Sequence, residues 1–208
     1  MPNIIFVDID GVLLPGKMHL FDRNRKAVED FLGASPNGIV PYFDPVAVRM
    51  FQLWTQYSDA QLVFCTTWAF GDTRRVDFVK HIMKSNGLDF QYHPDSVTPR
   101  RRTSNKLHNV GMWIDDNGQP GDNYLVVDDD SSLHHINSSD TMFDWLQDSQ
   151  RISAIIPNYN DGLTWQHFKD GCTSLQIDNK TLLQLEFGIV PRTPEEIKRD
   201  ESLMYAFF

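Results

Sequence analysis

The sequence predicts an α/β fold: a doubly wound, Rossmann-like and mainly parallel sheet of about five strands with helices on both faces. Three observations predict it. Apolar runs of strand length recur, and most are continuous rather than alternating, the pattern of strands covered on both sides. Segments of helical periodicity lie between them, and strand and helix alternate through most of the chain. With 208 residues, the chain is sized for one domain and a small appendage. Residues 1–177 are expected to form that domain, with 13–42 a small cap-like insertion after the first strand. Residues 178–208 are expected to form a helical extension packed on it.

The elements follow in order. Ile4 to Val7 is the first strand, and within the insertion Leu13 to Tyr42 the stretch Asn24 to Leu32 reads as a helix. Asp44-Pro45 offers an N-cap and a proline at the first helical position, after which Val46, Met50, Leu53, Trp54 and Tyr57 recur at helical spacing. Leu62 to Cys65 is the second strand. Asp72 or Thr73 opens a helix carrying Val76, Val79 and Met83, which Asn86-Gly87 ends. Phe90 to Tyr92 is the third strand, and Ser104 opens a helix with Leu107, Val110 and Ile114 on one stripe. Tyr124 to Val127 and Ile152 to Ile156 complete the sheet. Near the end, Thr193-Pro194-Glu195-Glu196 is a capping-box start, followed by Ile197, Leu203, Met204 and Phe207.

Composition excludes several classes. No apolar run approaches the roughly 18 to 20 residues that a membrane-spanning helix needs, and the start MPNIIFVDIDGV lacks the basic flank and cleavage site of a leader. Cys65 and Cys172 are too few for a disulfide framework, and Cys65 sits in the apolar run LVFC, so a reducing, cytoplasmic setting without a membrane is expected. The 19 basic and 28 acidic residues give a net charge of -9. That balance argues against coating nucleic acid by phosphate neutralisation, though it leaves room for a local basic site.

In open α/β sheets ligands bind beyond the carboxyl ends of the strands, so the polar residues after each run carry the chemistry. The first strand ends in Asp8-Ile9-Asp10-Gly11, and strand alternation puts Asp8 and Asp10 on one face. Two such carboxylates repel, and a hard cation would relieve them. The second run ends in Thr66-Thr67, hydroxyls able to donate to an anion. The fourth ends in Asp128-Asp129-Asp130, and Lys106, in the preceding helix, adds a positive charge.

These residues resemble the motifs of the haloacid-dehalogenase-like (HAD) phosphohydrolase superfamily. The Asp-x-Asp-Gly motif stands as Asp8-Ile9-Asp10-Gly11, the Thr or Ser motif as Thr66 in LVFCTTW, the basic motif as Lys106 and the acidic motif as Asp128-Asp129, at separations of 58, 40 and 22 residues. The stretch from Phe43 through Leu163 looks most like the compact, nearly capless branch. The resemblance implies a Mg²⁺-dependent phosphomonoesterase in which Asp8 attacks phosphorus and forms an aspartyl-phosphate. Asp10 would then protonate the leaving oxygen and later activate water, while Thr66, Thr67 and Lys106 hold the phosphoryl oxygens. It also implies Mg²⁺ on Asp8, the Asp10 main-chain carbonyl and Asp128, with Asp129 the alternative at the last position. A phosphotransferase using the same intermediate, or an idle phosphate-binding domain, are the competing readings. The substrate is expected to be a phosphorylated small molecule or nucleotide, with a nucleotide or a nucleic-acid end as the first guess.

Each motif also has a plainer reading. Asp-x-Asp-Gly also fits a turn, Thr66 a helix N-cap, Lys106 a solvated helix lysine and Asp128 to Asp130 a capping cluster. Arg100, Arg101 and Arg102 compete with Lys106 for the charge-stabilising role; they fit a contact to substrate phosphates or a solvated loop. Gly11 to Lys17 mimics a P-loop, but Met18 stands where a metal-binding hydroxyl belongs and Pro15 removes a donor. His134-His135 read as structural, since adjacent histidines diverge. Trp54, Trp113 and Trp145 read as core.

Overall fold

The computed structural model describes residues 2–32, 39–71, 73–99, 105–137, 150–178 and 182. Among them run β1 (Asn3–Val7), α1 (Asp22–Leu32), α2 (Pro45–Ser58), β2 (Gln61–Phe64), α3 (Thr73–Ser85), β3 (Tyr92–Val97), α4 (Lys106–Asn117), β4 (Asn123–Val127), α5 (His134–Asn137), β5 (Arg151–Ile155) and α6 (Trp165–Ser174). The five strands form one sheet in the order β3-β2-β1-β4-β5, and every pairing is parallel. The chain winds outward from β1 through β2 to β3, then crosses back to β4 and β5. Because the connections leave β1 and β4 in opposite directions, a crevice opens at the carboxyl ends of these two central strands.

Side-chain alternation splits the core into two layers. Ile5, Val7, Leu62, Phe64, Leu125 and Val127 face the layer that contains the buried residues of α2, α3 and α6. Ile4, Phe6, Val63, Tyr124 and Val126 face the layer of α4 and α5. Trp54 stacks near Phe168 on one side and Trp113 meets Phe6 edge-on at 5.1 Å on the other, so both tryptophans are core as expected. Each such burial is worth about 1.5–3 kcal/mol or more. Trp145 lies outside the described residues.

Helix starts follow capping chemistry. Asp44 accepts from Val46 N at 2.9 Å, with Pro45 at the first position. The start of α4 corrects the sequence reading: Asn105, not Ser104, is the cap, its carboxamide oxygen accepting from His108 N at 2.9 Å. The stripe Leu107, Val110 and Ile114 is buried as expected. The third strand is a larger correction, since it spans Tyr92–Val97 rather than Phe90 to Tyr92. It is an edge strand, partly exposed and carrying Pro94, so it has no apolar run to announce it.

The insertion carries a 3₁₀ turn (Gly16–Leu20) and then α1. Buried Asn24 ties its two ends: its amide donates to Met18 O and Tyr42 O, and its oxygen accepts from Tyr42 N at 2.7 Å. Of the expected C-terminal extension, Leu182 is described and is fully buried in the larger core layer. The capping-box helix after Thr193 lies outside the described residues, as do Asp72, Ser104 and Arg100 to Arg102. No helix among the described residues is long and apolar enough to cross a membrane.

Candidate active site

Hydrogen bonding continues one residue past the strand ends. Asp8 N donates to Val127 O, Cys65 N to Val7 O and Asp128 N to Ile155 O, so Asp8, Cys65 and Asp128 form the next row of the sheet. The strand ladder therefore delivers Asp8 and Asp128 side by side at the switch point. Lys106, the first residue of α4, reaches between them, its Nζ donating to Asp8 Oδ2 at 2.7 Å and to Asp128 Oδ2 at 2.6 Å. Both carboxylates are held on their other oxygens, Asp8 Oδ1 by Ile9 N at 2.7 Å and Asp128 Oδ1 by Asp130 N at 3.0 Å.

Asp129 completes the cluster. One oxygen each from Asp8, Asp128 and Asp129 lies within 4.8 Å of the others. Gly11 makes room for it: a Cβ there would stand 2.5 Å from Asp129 Cγ, and the backbone at φ +73° is in the left-handed region that favours glycine. Asp10 lies apart from this group. The strand ends at Val7, so alternation does not extend to Asp10, whose Oδ2 accepts from Trp68 Nε1 at 2.8 Å.

The electrostatics follow from burial around too many negative charges. Burial, then Asp8, push the Asp128 carboxyl up to about 7, with Lys106 opposing. Burial alone would lower the Lys106 pKa, but Cys65, Asp8 and Asp128 hold it above the usual lysine range. The Cys65 thiol is itself raised by burial and stays neutral at ordinary pH, so the carboxylates are the partners that matter. Burial also raises Asp10 and Asp129, the Trp68 bond opposing it at Asp10. Three carboxylates around one ammonium leave two negative charges when all are ionised. The residues fit a divalent cation on both counts, hard oxygen donors and charge.

Thr66 is fully buried, and its Oγ1 accepts from Trp68 N at 3.3 Å, capping the 3₁₀ turn Thr67–Ala69. The capping reading holds, and the hydroxyl proton is left for another acceptor. Thr67 is exposed at the start of that turn. His134 and His135 are exposed on α5 and take no part in the carboxylate cluster. Lys17, the P-loop-like lysine, pairs with Asp44 at 2.7 Å and donates to Asp161 O at 2.8 Å, while Met18 is buried in the core.

Four residues near the site escaped sequence reasoning as site residues. Trp68 orients Asp10; Cys65 sits behind Asp128, Sγ 3.4 Å from Oδ2. His19 and Tyr159 come close enough for charge to be felt, His19 by Asp10 and Tyr159 by Asp10 and Asp129. Trp68 alone had a sequence signal, its place two residues after Thr66.

Comparison with known proteins adds the family. No curated protein matches the chain. Among solved structures, the HAD domain of the effector protein Lem4 from Legionella pneumophila is similar at TM-score 0.42 and 14% identity, over 84% of this chain and 95% of that one. A family model described as the HAD domain in Swiss Army Knife RNA repair proteins matches residues 4–168, which cover the sheet, Asp8, Asp10, Thr66, Lys106, Asp128 and Asp129, and the chain belongs to that family.

Proposed function

We propose that this chain is a Mg²⁺-dependent phosphomonoesterase that acts through an aspartyl-phosphate on Asp8 and takes the phosphate end of a nucleic acid, RNA foremost. The observation that carries the reading is the convergence of Asp8, Asp128 and Asp129 around Lys106 at the switch point. The RNA assignment is supported by the family, whose description places its HAD domain in RNA repair proteins.

Phosphoryl transfer asks the protein for an in-line nucleophile and for positive charge on the nonbridging oxygens. Asp8 is the nucleophile: its carboxylate attacks phosphorus and the ester oxygen departs. Lys106, already bridging two carboxylates, holds a phosphoryl oxygen, and the Thr66 hydroxyl donates to another. Asp10 gives its proton to the leaving oxygen, and its raised pKa keeps that proton available closer to neutral pH. Asp10 then takes a proton from water, which attacks the acyl phosphate, releases phosphate and regenerates Asp8. Trp68 holds one Asp10 oxygen, which leaves the other for the proton transfer. Asp8, Asp128 and the Asp10 main-chain carbonyl would hold Mg²⁺, with Asp129 beside them. When bound, the ion supplies the positive charge that lets one anion attack another.

Phosphate release from 5′- and 3′-phosphorylated oligoribonucleotides, nucleoside monophosphates, phosphopeptides and sugar phosphates tests the reading. Mg²⁺-dependent release with highest kcat/KM on the oligoribonucleotides is expected. Full activity after exhaustive chelation would overturn the metal, and preference for sugar phosphates or phosphopeptides would overturn the substrate.

A further inference from the structure

We propose that His19 and Tyr159 form a stacking platform for the base of the substrate's terminal nucleotide, which makes the nucleic-acid end, rather than any phosphomonoester, the preferred substrate. The inference rests on the phosphatase reading above and adds what recognises the group behind the phosphate.

The two rings come from different parts of the chain. His19 lies on the 3₁₀ turn of the insertion, and Tyr159 in the loop after β5. Their planes are nearly parallel, 17° apart with centroids 6.5 Å apart. The two segments are clamped together: Gly16 N donates to Tyr159 O at 2.8 Å, Lys17 N to Asn160 O at 3.2 Å and Lys17 Nζ to Asp161 O at 2.8 Å. The bridge between Asn158 and Gly162 closes the Tyr159 loop on itself, and Gly162 lies against Pro15. A ring set on so constrained a double loop pays little ordering entropy on binding.

Position and chemistry select the ligand. Tyr159 is 45% exposed although its backbone is pinned, so part of its side chain is open to solvent. Both rings sit on loops at the carboxyl edge of the sheet: His19 follows the turn that bridges Asp10 to Leu14, and Tyr159 follows the carboxyl end of β5, the neighbour of β4, whose end carries Asp128 and Asp129. In keeping with this, the charges of Asp10 and Asp129 act on the Tyr159 hydroxyl. His19 Nε2 is buried without a hydrogen-bond partner. Buried polar atoms are nearly always paired, so this nitrogen is an unmet hydrogen-bonding group next to the ring pair. The chain's net charge of -9 works against gripping a polyphosphate backbone. Base stacking on aromatic rings is a handle that this charge does not oppose, and it tolerates every sequence because every base has a π-face.

The test compares two substrates that differ only in the base: a phosphorylated oligoribonucleotide and its counterpart with an abasic residue at the phosphorylated end. Wild-type protein with Mg²⁺ should favour the base-bearing substrate by about five- to a hundredfold in kcat/KM, mainly through KM. Tyr159→Ala should erase most of that preference and Tyr159→Phe should keep it; His19→Ala should reduce it. Equal kcat/KM for the two substrates on wild type, or an undiminished preference in Tyr159→Ala, would overturn the platform. If wild type releases phosphate from neither substrate, the phosphatase reading fails on its own. The platform is then judged by fluorescence anisotropy of the two labelled oligonucleotides on the full chain. Tighter binding of the base-bearing one that Tyr159→Ala abolishes supports it, and equal binding of both contradicts it.

Discussion

The two ends of the central sheet bury polar groups to opposite purposes. At the amino end, Asn123 donates to Asn3 Oδ1 and to Ser174 O, both at 2.7 Å, and Asn3 donates to Ser58 O at 2.9 Å. Asp122 there accepts from Gln119 N and from the Tyr124 hydroxyl. The neutral Asn3 and Asn123 amides satisfy one another and fasten β1 and β4 to the ends of α2 and α6, while one oxygen of buried Asp122, Oδ1, has no hydrogen-bond partner among the described residues. At the carboxyl end, the same two strands deliver Asp8 and Asp128 into mutual repulsion that one lysine only partly offsets. One end spends its polar atoms on stability, while the other keeps charge in excess for a ligand to neutralise.

The contrast breaks first at Asp8. Asp8→Asn should lower phosphate release by at least about 10³-fold, as expected for a nucleophile, while its thermal midpoint without metal holds or rises because a repelling charge is gone. A lost midpoint with partial activity would make Asp8 structural. Asp10→Asn comes next, costing about 10²–10⁴-fold on alkyl phosphates and far less on p-nitrophenyl phosphate, whose leaving group departs without a proton. Equal losses on both substrates would assign Asp10 to the metal or the fold. Gly11→Ala forces its Cβ toward Asp129 and strains a left-handed backbone. It should weaken Mg²⁺ binding about tenfold or more in calorimetry, and unchanged affinity would remove Asp129 from the ion's surroundings.

The amino end should answer in the opposite way. Asn123→Ala strands Asn3 Oδ1 and Ser174 O and should cost about 1–3 kcal/mol in denaturant unfolding, with kcat unchanged once the protein is folded. A loss of kcat would show the two ends to be coupled. A further effect is a pH dependence. Asp128 is raised from 3.8 to about 7, so the folded state binds its proton more tightly than the unfolded chain. Its contribution is therefore fully present below the unfolded value and is lost as pH rises through the folded one. The midpoint of metal-free protein should fall between these pH values, and Mg²⁺ should restore most at the upper end. A midpoint that rises with pH across this window in wild type but not in Asp128→Asn would reverse the assignment.

Much of the carboxyl end was legible in the sequence because buried parallel strands must be apolar and must stop where chemistry begins. Ile4 to Val7, Leu62 to Cys65 and Tyr124 to Val127 announced β1, β2 and β4, and the residues just beyond them are the cluster. The edge strand β3 was shifted because Tyr92–Val97 is only partly buried and its His93-Pro94-Asp95-Ser96 run carries no apolar signal. Asn105 was missed as the cap of α4 because Ser104 beside it has equal capping propensity. The Trp68 bond to Asp10 and the His19–Tyr159 pair were not legible. Both depend on loops meeting across 58 and 140 residues of sequence, which no local period records.

The most direct measurement traps the covalent intermediate on the protein. Wild-type chain is mixed with a phosphorylated oligoribonucleotide and Mg²⁺, quenched during turnover, reduced with borohydride to convert an acyl phosphate to homoserine, and mapped by mass spectrometry. Homoserine at position 8, absent without substrate and absent in Asp8→Asn, is the expected result. Phosphate release at full rate with no reduction product at Asp8 in any quench interval would contradict the covalent role assigned to this carboxylate.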